Sequence, residues 1–535
     1  MSPEPFLAKE EQMNRLLLLS AVIATLAISA WAVHAETELA APGQAGNDTH
    51  AESGQTRDAE VSRIPAVAPS GLQAQLPVSV PAGPESHAEE GIVDRPVVHV
   101  LTLEEAINRA LEANRGILDA RDGMERARLF LVSAESEFEL KVFPLADFGV
   151  TDDSEGDVRK SYGAGISLQK KFPMGTTVTL EPNVQRLEDT YESRIDTRLS
   201  QPLLRGLDHE FNLSGVQGAE FNTRTARRSH YLTRVDTVVS TVRAVYAVVR
   251  QRELRRVNEE SASRLNHHAE AARVKEKFGL ATPIDVYRAE IELKQSEDNL
   301  ARAREAYKNA MDSLKVILAF PVEDEIEISA PLEYSLVSTD EKEAVEMAFR
   351  HRIELKQAWD SVQDAERRSR VAKHGILPEL DVVLSFAPFG SSTDFGTDLN
   401  EYVWGVSLTS STDIRRTEER AAYEQRVLDV DAAYRSMNLL RDEIAREAKS
   451  ALRTLKEAEQ RIRIQKEQIQ KAESKLKLAQ VKFKHGMANN FDLIEAEEQL
   501  RQAETNMISV VIDYIAGTFS LRAAMGTLLE QEGGL

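Results

Sequence analysis

The sequence predicts a mainly α, internally duplicated chain whose long antiparallel coiled-coil helices are joined to a β portion able to cross a membrane. Three observations predict it. "KFGLATPIDVYRAE" near residue 284 and "KHGMANNFDLIEAE" near residue 491 write one helix–turn–helix twice. Apolar residues around both turns recur at alternating steps of three and four, the spacing that keeps one helix face against a neighbour. Between the long helical runs lie stretches of two-residue alternation, the period of a strand.

Composition narrows the function classes. With 535 residues the chain exceeds one domain. Its net charge of −21 leaves no basic footprint for DNA or RNA, so no nucleic-acid partner is expected. The absence of cysteine rules out disulfides, thiolate metal sites and a lipidated N-terminal cysteine.

Residues 1–35 are expected to be a signal peptide, within which "MNRLLLLSAVIATLAISAWAVHA" carries the signal. Arg15 gives the positive start, Leu16 to Trp31 the apolar stretch, and Val33-His34-Ala35 a small-residue cleavage site. Three glutamates precede Met13, which suits a signal poorly and leaves Met13 as a second candidate start; the alternative for this stretch is a membrane anchor. Residues 36–97, rich in Ala, Pro, Gly and Ser, bury too little apolar surface to offset chain entropy and are expected to form a disordered linker. Beyond them no apolar run is expected to reach the length of a membrane-spanning helix, so a crossing falls to strands.

The first copy is expected over 98–337: a helix, strands within 144–204, a long helix, a tip turn at 278–285 and a returning helix. The second, over 338–528, has strands within 378–412 and a tip turn at 485–492, and 529–535 form a tail. Gly279 and Gly486 lie 207 residues apart, and at that offset Lys277, Ala281, Asp285 and Ala289-Glu290 fall on Lys484, Ala488, Asp492 and Ala496-Glu497 without a gap. The seam after the first turn runs Val286, Ala289, Leu293, Ser296, and after the second Leu493, Ala496, Leu500, Ala503. A sustained period of this kind imposes left-handed coiling. No proline lies between Pro202 and Pro283 or after Pro388, so helices over 212–277 and 414–484 are free to reach about 100 Å each at 1.5 Å per residue. A weaker echo, Leu101 onward against Ser338 onward, opens each copy with a helix.

The strands alternate cleanly. Tyr162, Ala164, Ile166 and Leu168 oppose Gly163, Gly165, Ser167 and Gln169; Tyr402, Trp404, Val406 and Leu408 oppose Val403, Gly405, Ser407 and Thr409. Further strands are expected at 144–151, 175–182, 194–204 and 378–388. In a bilayer this pattern gives a lipid face and a wet lumen, with Tyr162, Phe172, Phe386, Tyr402 and Trp404 placed for interfacial belts; the plainer reading of these rings is an ordinary core. Two or three hairpins do not close a barrel, and lipid forbids open sheet edges. Several copies, three being the plausible number, are therefore expected to pool their strands.

The order of these elements, with "LTLEEAINRALEAN" opening the first copy and "LSQPLLRG" (Leu199 to Gly206) ending its strands, resembles the TolC-type outer-membrane efflux channels over about residues 98–528. The resemblance implies a homotrimer sharing one β-barrel in the outer membrane of a Gram-negative bacterium, continued by an α-barrel through the periplasm. It implies a passive conduit without catalytic residues, cofactor or metal. A periplasmic adaptor would join it to an inner-membrane pump of the RND or ABC type, for efflux or type I secretion. The adaptor-facing tips would be Gly279, Leu280, Ala281 and Asp285 with Gly486, Met487 and Ala488. Asp492 and Glu495 would ring the periplasmic entrance, and Tyr162, Ile166, Leu168, Tyr402, Trp404, Val406 and Leu408 would face lipid. A ring of carboxylates attracts cations and raises its own pKa values by repulsion; the plainer reading is a first-turn acid stabilised by the helix dipole.

Two departures stand out. Where some members carry a basic residue in the second turn, this chain has Ala488, and Phe483 stands where a tyrosine can occur. Closure would then fall to other groups, with Lys482 and Lys484 the nearest cations. The first copy also holds more strand-like sequence than one hairpin needs, a surplus that suits either extra barrel strands or an extracellular flap. Against an enzyme, the chain has no zinc-binding His-Glu-x-x-His, phosphate loop or nucleophile elbow. His267-His268, adjacent on a helix, do not share a face and read as solvated. The serious rival is a periplasmic coiled-coil scaffold without a pore, which leaves the apolar strand faces unexplained.

Overall fold

The computed structural model describes residues 99–152, 158–187, 190–393, 399–485, 487–488 and 490–531. The signal segment, the linker, Gly486 and the end of the tail lie outside the described residues. In the first copy the elements are β1 (His99–Thr102), α1 (Leu103–Ala113), α2 (Arg115–Glu135), β2 (Lys141–Asp152), β3 (Val158–Lys171), β4 (Thr177–Leu187), β5 (Thr190–Pro202), α3 (His209–Asn212), α4 (Ser214–Lys277), α5 (Pro283–Ile317) and β6 (Ile326–Ser329). In the second they are α6 (Glu341–His351), α7 (Ile353–Gly375), β7 (Asp381–Ser392), β8 (Glu401–Thr409), α8 (Thr417–Lys484) and α9 (Asn490–Ala524).

The opening helix of each copy is two helices, a difference from the continuous helix the sequence suggests. Thr102 and Glu105 cap α1 reciprocally, as Asp340 and Glu343 cap α6. Asn114 then leaves the helical region at ψ 128° and its side chain accepts from the Gly116 amide at 2.9 Å, restarting the chain as α2. Arg352, at ψ 114°, leaves the helical region likewise between α6 and α7, without a side-chain cap. The duplication extends to packing, since Ala106 and Ala110 are buried like their counterparts Ala344 and Ala348.

The long helices α4 and α8 have 64 and 68 residues, and the returning α5 and α9 have 35 each. Each return therefore covers only the tip-side half of its partner, and α2 and α7 pack on the other half. The main core lies between these halves, where Val242, Val245 and Val249 of α4 meet Leu455 of α8 and Val510 and Tyr514 of α9. Toward the tips the core divides into two separate seams, Leu265, Ala269, Ala272, Val286, Ala289 and Leu293 in one copy, and Ala472, Leu476, Ala479, Leu493, Ala496, Leu500 and Ala503 in the other. These are the positions the three-and-four spacing selects. One expectation is corrected: α9 does contain a stretch long and apolar enough to cross a membrane, with mean hydropathy 1.3. Its Val510, Ile512, Tyr514 and Leu521 are buried in the core instead, so we read it as a packed helix.

A small parallel pair, β1 with β6, has no counterpart in the sequence reading; it ties the start of the first copy to the chain beyond α5. The main sheet runs β2-β3-β4-β5-β7-β8, every pair antiparallel. Its strands are 9 to 14 residues long, enough to cross a bilayer on a tilt. The surplus strand-like sequence of the first copy is a second hairpin, zipped into this sheet along its length.

Candidate functional site

Register decides what each face of the sheet carries. Phe148 is paired with Tyr162, Leu168 with Leu180, Leu199 with Leu384 and Phe386 with Trp404, all on one side. That side is apolar across all six strands, and Trp404 on it is 67% exposed. All seven residues expected to face lipid share it. Phe148 and Tyr162 pack ring to ring at 5.1 Å, and Phe386 and Tyr402 at 6.1 Å. Tyr162, Phe386, Tyr402 and Trp404 are exposed rather than core rings, while Phe172 is only half-exposed, in the turn after β3. The opposite side carries Ser167, which donates to Glu181 at 2.8 Å, and Arg194 paired with Asp196 at 2.8 Å. Phe143, Leu145, Val383, Phe389 and Val403 are interspersed among these polar groups.

At the other end of the molecule the first tip is set by backbone chemistry. Gly279 sits at φ +69°, a region L side chains resist, and closes the α4 end by donating to Glu276 O. Thr282 then caps α5, and Asp285 returns the bond to the Thr282 amide at 3.1 Å. The Thr282 hydroxyl and amide hold the Asp285 carboxyl below its ordinary pKa. Asp285 thus acts as a helix cap. Leu280 and Met487 are 76% and 69% exposed, while Ala281 and Ala488 are half-buried. Sequence reasoning missed a further exposed apolar stripe, Ile284, Tyr287 and Ile291, next to Phe278. Its steps of three and four run beside the seam positions two residues out of phase, so the signal was present in the spacing.

Asp492 and Glu495 lie one turn apart at the start of α9. Glu495 accepts from Lys475 of α8 at 3.0 Å and from Gln499 at 2.9 Å, so it is already held toward its own hairpin. The strongest electrostatic feature is one residue pair further on. Glu497 is 1% exposed, and it accepts from Arg264 of α4 at 2.7 Å and faces His268 at 3.4 Å. Burial pushes its pKa up, but the His268 contact and the Arg264 guanidinium outweigh this and hold it below the ordinary carboxylate value. His268 is therefore engaged, a correction to the reading of both histidines as solvated; His267 remains exposed. The counterpart of Glu497 by duplication, Glu290, is half-buried and pairs within its own hairpin, with Arg273 at 2.7 Å.

Two more contacts join the hairpins. Lys275 donates to Phe483 O at 3.1 Å with its ammonium 3.4 Å from the ring centre, and Asn490 donates to Asp285 O at 3.0 Å. Lys275 of the first copy is thus a cation that bridges the tips, with Lys482 and Lys484 placed in the last turn of α8. Among the described residues no group of three His, Asp or Glu side chains is arranged to hold a metal.

Residues 344–527 match the family model described as outer membrane efflux protein. The outer membrane protein TolC of Vibrio cholerae is 23% identical over 328 residues, covering 59% of this chain and 73% of TolC. Among solved structures, VceC from Vibrio cholerae superposes with a TM-score of 0.63 at 15% identity over 79% of this chain and 96% of its own. The Campylobacter jejuni CmeC outer membrane channel gives 0.63 at 15% identity over 80% and 86%. The open state of the Neisseria gonorrhoeae MtrE outer membrane channel gives 0.61 at 15% over 80% and 89%. At such identities the superpositions establish a shared fold, a long-helix bundle carrying a sheet at one end. The second copy thus carries the match to the outer membrane efflux protein family, and over most of its length the chain has the fold of TolC-like outer-membrane channels.

Proposed function

We propose that the chain is a passive conduit: a homotrimer whose pooled strands form a barrel in outer-membrane lipid and whose helices form a tube reaching into the periplasm. The observation that carries this is the main sheet, apolar on one face, polar on the other, and open at both edges. A water-soluble scaffold has no use for such a surface, which costs solubility. The exposed tips, Leu280 and Met487 with Ile284 and Tyr287, offer an apolar docking surface for a periplasmic adaptor. Through it an inner-membrane pump of the RND or ABC type would drive efflux or type I secretion; the energy and the substrate choice belong to the pump. The protein performs no catalysis in this reading.

Asp492 and Glu495, repeated in three copies, would place carboxylates around the periplasmic entrance and favour cations there. Two measurements test the conduit. Native mass analysis in mild detergent is expected to give trimers, and planar bilayers to show discrete conductance steps. Release of the protein from the envelope without detergent, or lone subunits that conduct nothing, would overturn it.

A further inference from the structure

We propose that three copies of this chain close an eighteen-stranded barrel through a seam between β8 of one copy and β2 of the next. The proposal rests on the trimer reading above and adds the strand count and the seam. One hairpin from each sequence copy would supply four strands per chain; the sheet has six, because the first copy gives two hairpins. The additional hairpin is no flap. β2 is paired with β3 from Lys141↔Gln169 to Asp152↔Val158, and β3 with β4 from Ser161↔Leu187 to Lys171↔Thr177.

The two free edges are made to meet. Every neighbour in the sheet is antiparallel, so β2 and β8, separated by an even number of strands, run in opposite directions. Laying β8 beside β2 of another copy therefore continues the antiparallel order without a break. Among the described residues neither strand has a partner on its outer side, and in lipid each unpaired backbone group costs several kcal/mol. Soluble proteins blunt such edges with lysine, proline or a bulge; β8, "EYVWGVSLT", has neither lysine nor proline, and β2 has only Lys141 and Pro144.

The side chains agree. On the polar face β3, β4 and β5 present Ser167, Thr179, Asn183 and Arg194, as water requires, while β7 and the edge strands add apolar groups: Val383 and Phe389 on β7, Phe143 and Leu145 on β2, and Val403 on β8, the last three 46%, 45% and 57% exposed. Joining the edges extends the lipid face from Trp404 and Leu408 to Val142 and Phe148. A closed barrel widens about linearly with strand number, so at equal tilt eighteen strands make a mouth about half as wide again as twelve.

Because the chain lacks cysteine, engineered pairs report the seam directly. Full-length chains carrying Ser407→Cys with Leu145→Cys, Asp147→Cys or Gly149→Cys are expected to give a covalent ladder ending at trimer on mild oxidation. Ser407→Cys paired with Thr179→Cys or Asn183→Cys, on β4, is expected to give none. Crosslinks to β4 in place of β2 would mean that the first hairpin peels away and twelve strands remain, which overturns the proposal. Trimers by native mass with no crosslink in either series would also overturn it while leaving the conduit standing. Lone subunits would remove both. The single-cysteine parents, measured by native mass alone, separate a failure to assemble from a failure to crosslink.

Discussion

Arg264→Ala is expected to loosen the tip far more than Glu497→Gln, although each removes the same ion pair. The asymmetry follows from burial: the Glu497 side chain is 1% exposed and that of Arg264 28%. Removing the arginine strands a buried carboxylate, a change that costs about 3 kcal/mol, the low end of the range for broken buried pairs because His268 still faces one oxygen. Removing the charge from Glu497 leaves Arg264 partly hydrated and an amide oxygen still able to accept, a loss of about 1 kcal/mol. The difference of about 2 kcal/mol corresponds to about 30-fold in the local opening constant. Amide hydrogen exchange over 260–277 and 490–503 in the purified protein reads that constant. The pH dependence has a definite sign. With its pKa held below the ordinary value, wild-type Glu497 stabilises the tip at and above the usual carboxylate range, and this contribution is lost only as pH falls through the lowered value. In Arg264→Ala the stranded carboxyl takes up a proton more readily, so the defect should shrink on mild acidification. Equal loosening by the two substitutions, or a defect in Arg264→Ala that does not shrink toward pH 5, would refute the buried-charge account.

Other outcomes follow from the same geometry. Gly279→Val imposes a β-branched side chain at φ +69° with open space around it, so about 1–2 kcal/mol of backbone strain, and no clash, should weaken adaptor pull-down. Thr282→Ala removes the first-tip cap and is expected to cost about 1 kcal/mol, read as increased exchange in the first turn of α5. Val406→Arg, near the middle of β8 on the apolar face, should cost about 2–4 kcal/mol near mid-bilayer and reduce trimer yield, whereas Ser407→Arg on the opposite face should assemble normally. Asp492→Asn with Glu495→Gln is expected to lower cation selectivity and divalent-cation block in planar bilayers; unchanged recordings would remove the acidic entrance.

Much of the fold was legible because it is periodic. The long helices begin and end within a few residues of the proline-free, seam-bearing runs, and the tip seams bury the alanines and leucines that the spacing picks out. The breaks at Asn114 and Arg352 were not read from the sequence, since neither carries proline; Asn114 caps Gly116 locally and donates to Ile317 O, while Arg352 pairs with the distant Glu447. β2 was read short because Phe143 and Leu145 make it apolar on both faces and hide its alternation. β1 and β6, four residues each, are too brief to show a period. Glu497 looked like every other acid on a solvated helix, because its partners lie more than two hundred residues away in sequence.

The division of the core between body and tips has a mechanical consequence. Four of the seven residues in one tip seam are alanines, whereas the body interlocks tyrosine, isoleucine and valine around Tyr514. Each methyl group sequestered at a tip contributes little cohesion, so the far ends of the hairpins are the least tightly zipped part of the bundle. A pull applied there can part neighbouring helices while the thicker trunk stays intact, much as a collet spreads its fingers without yielding at the shank.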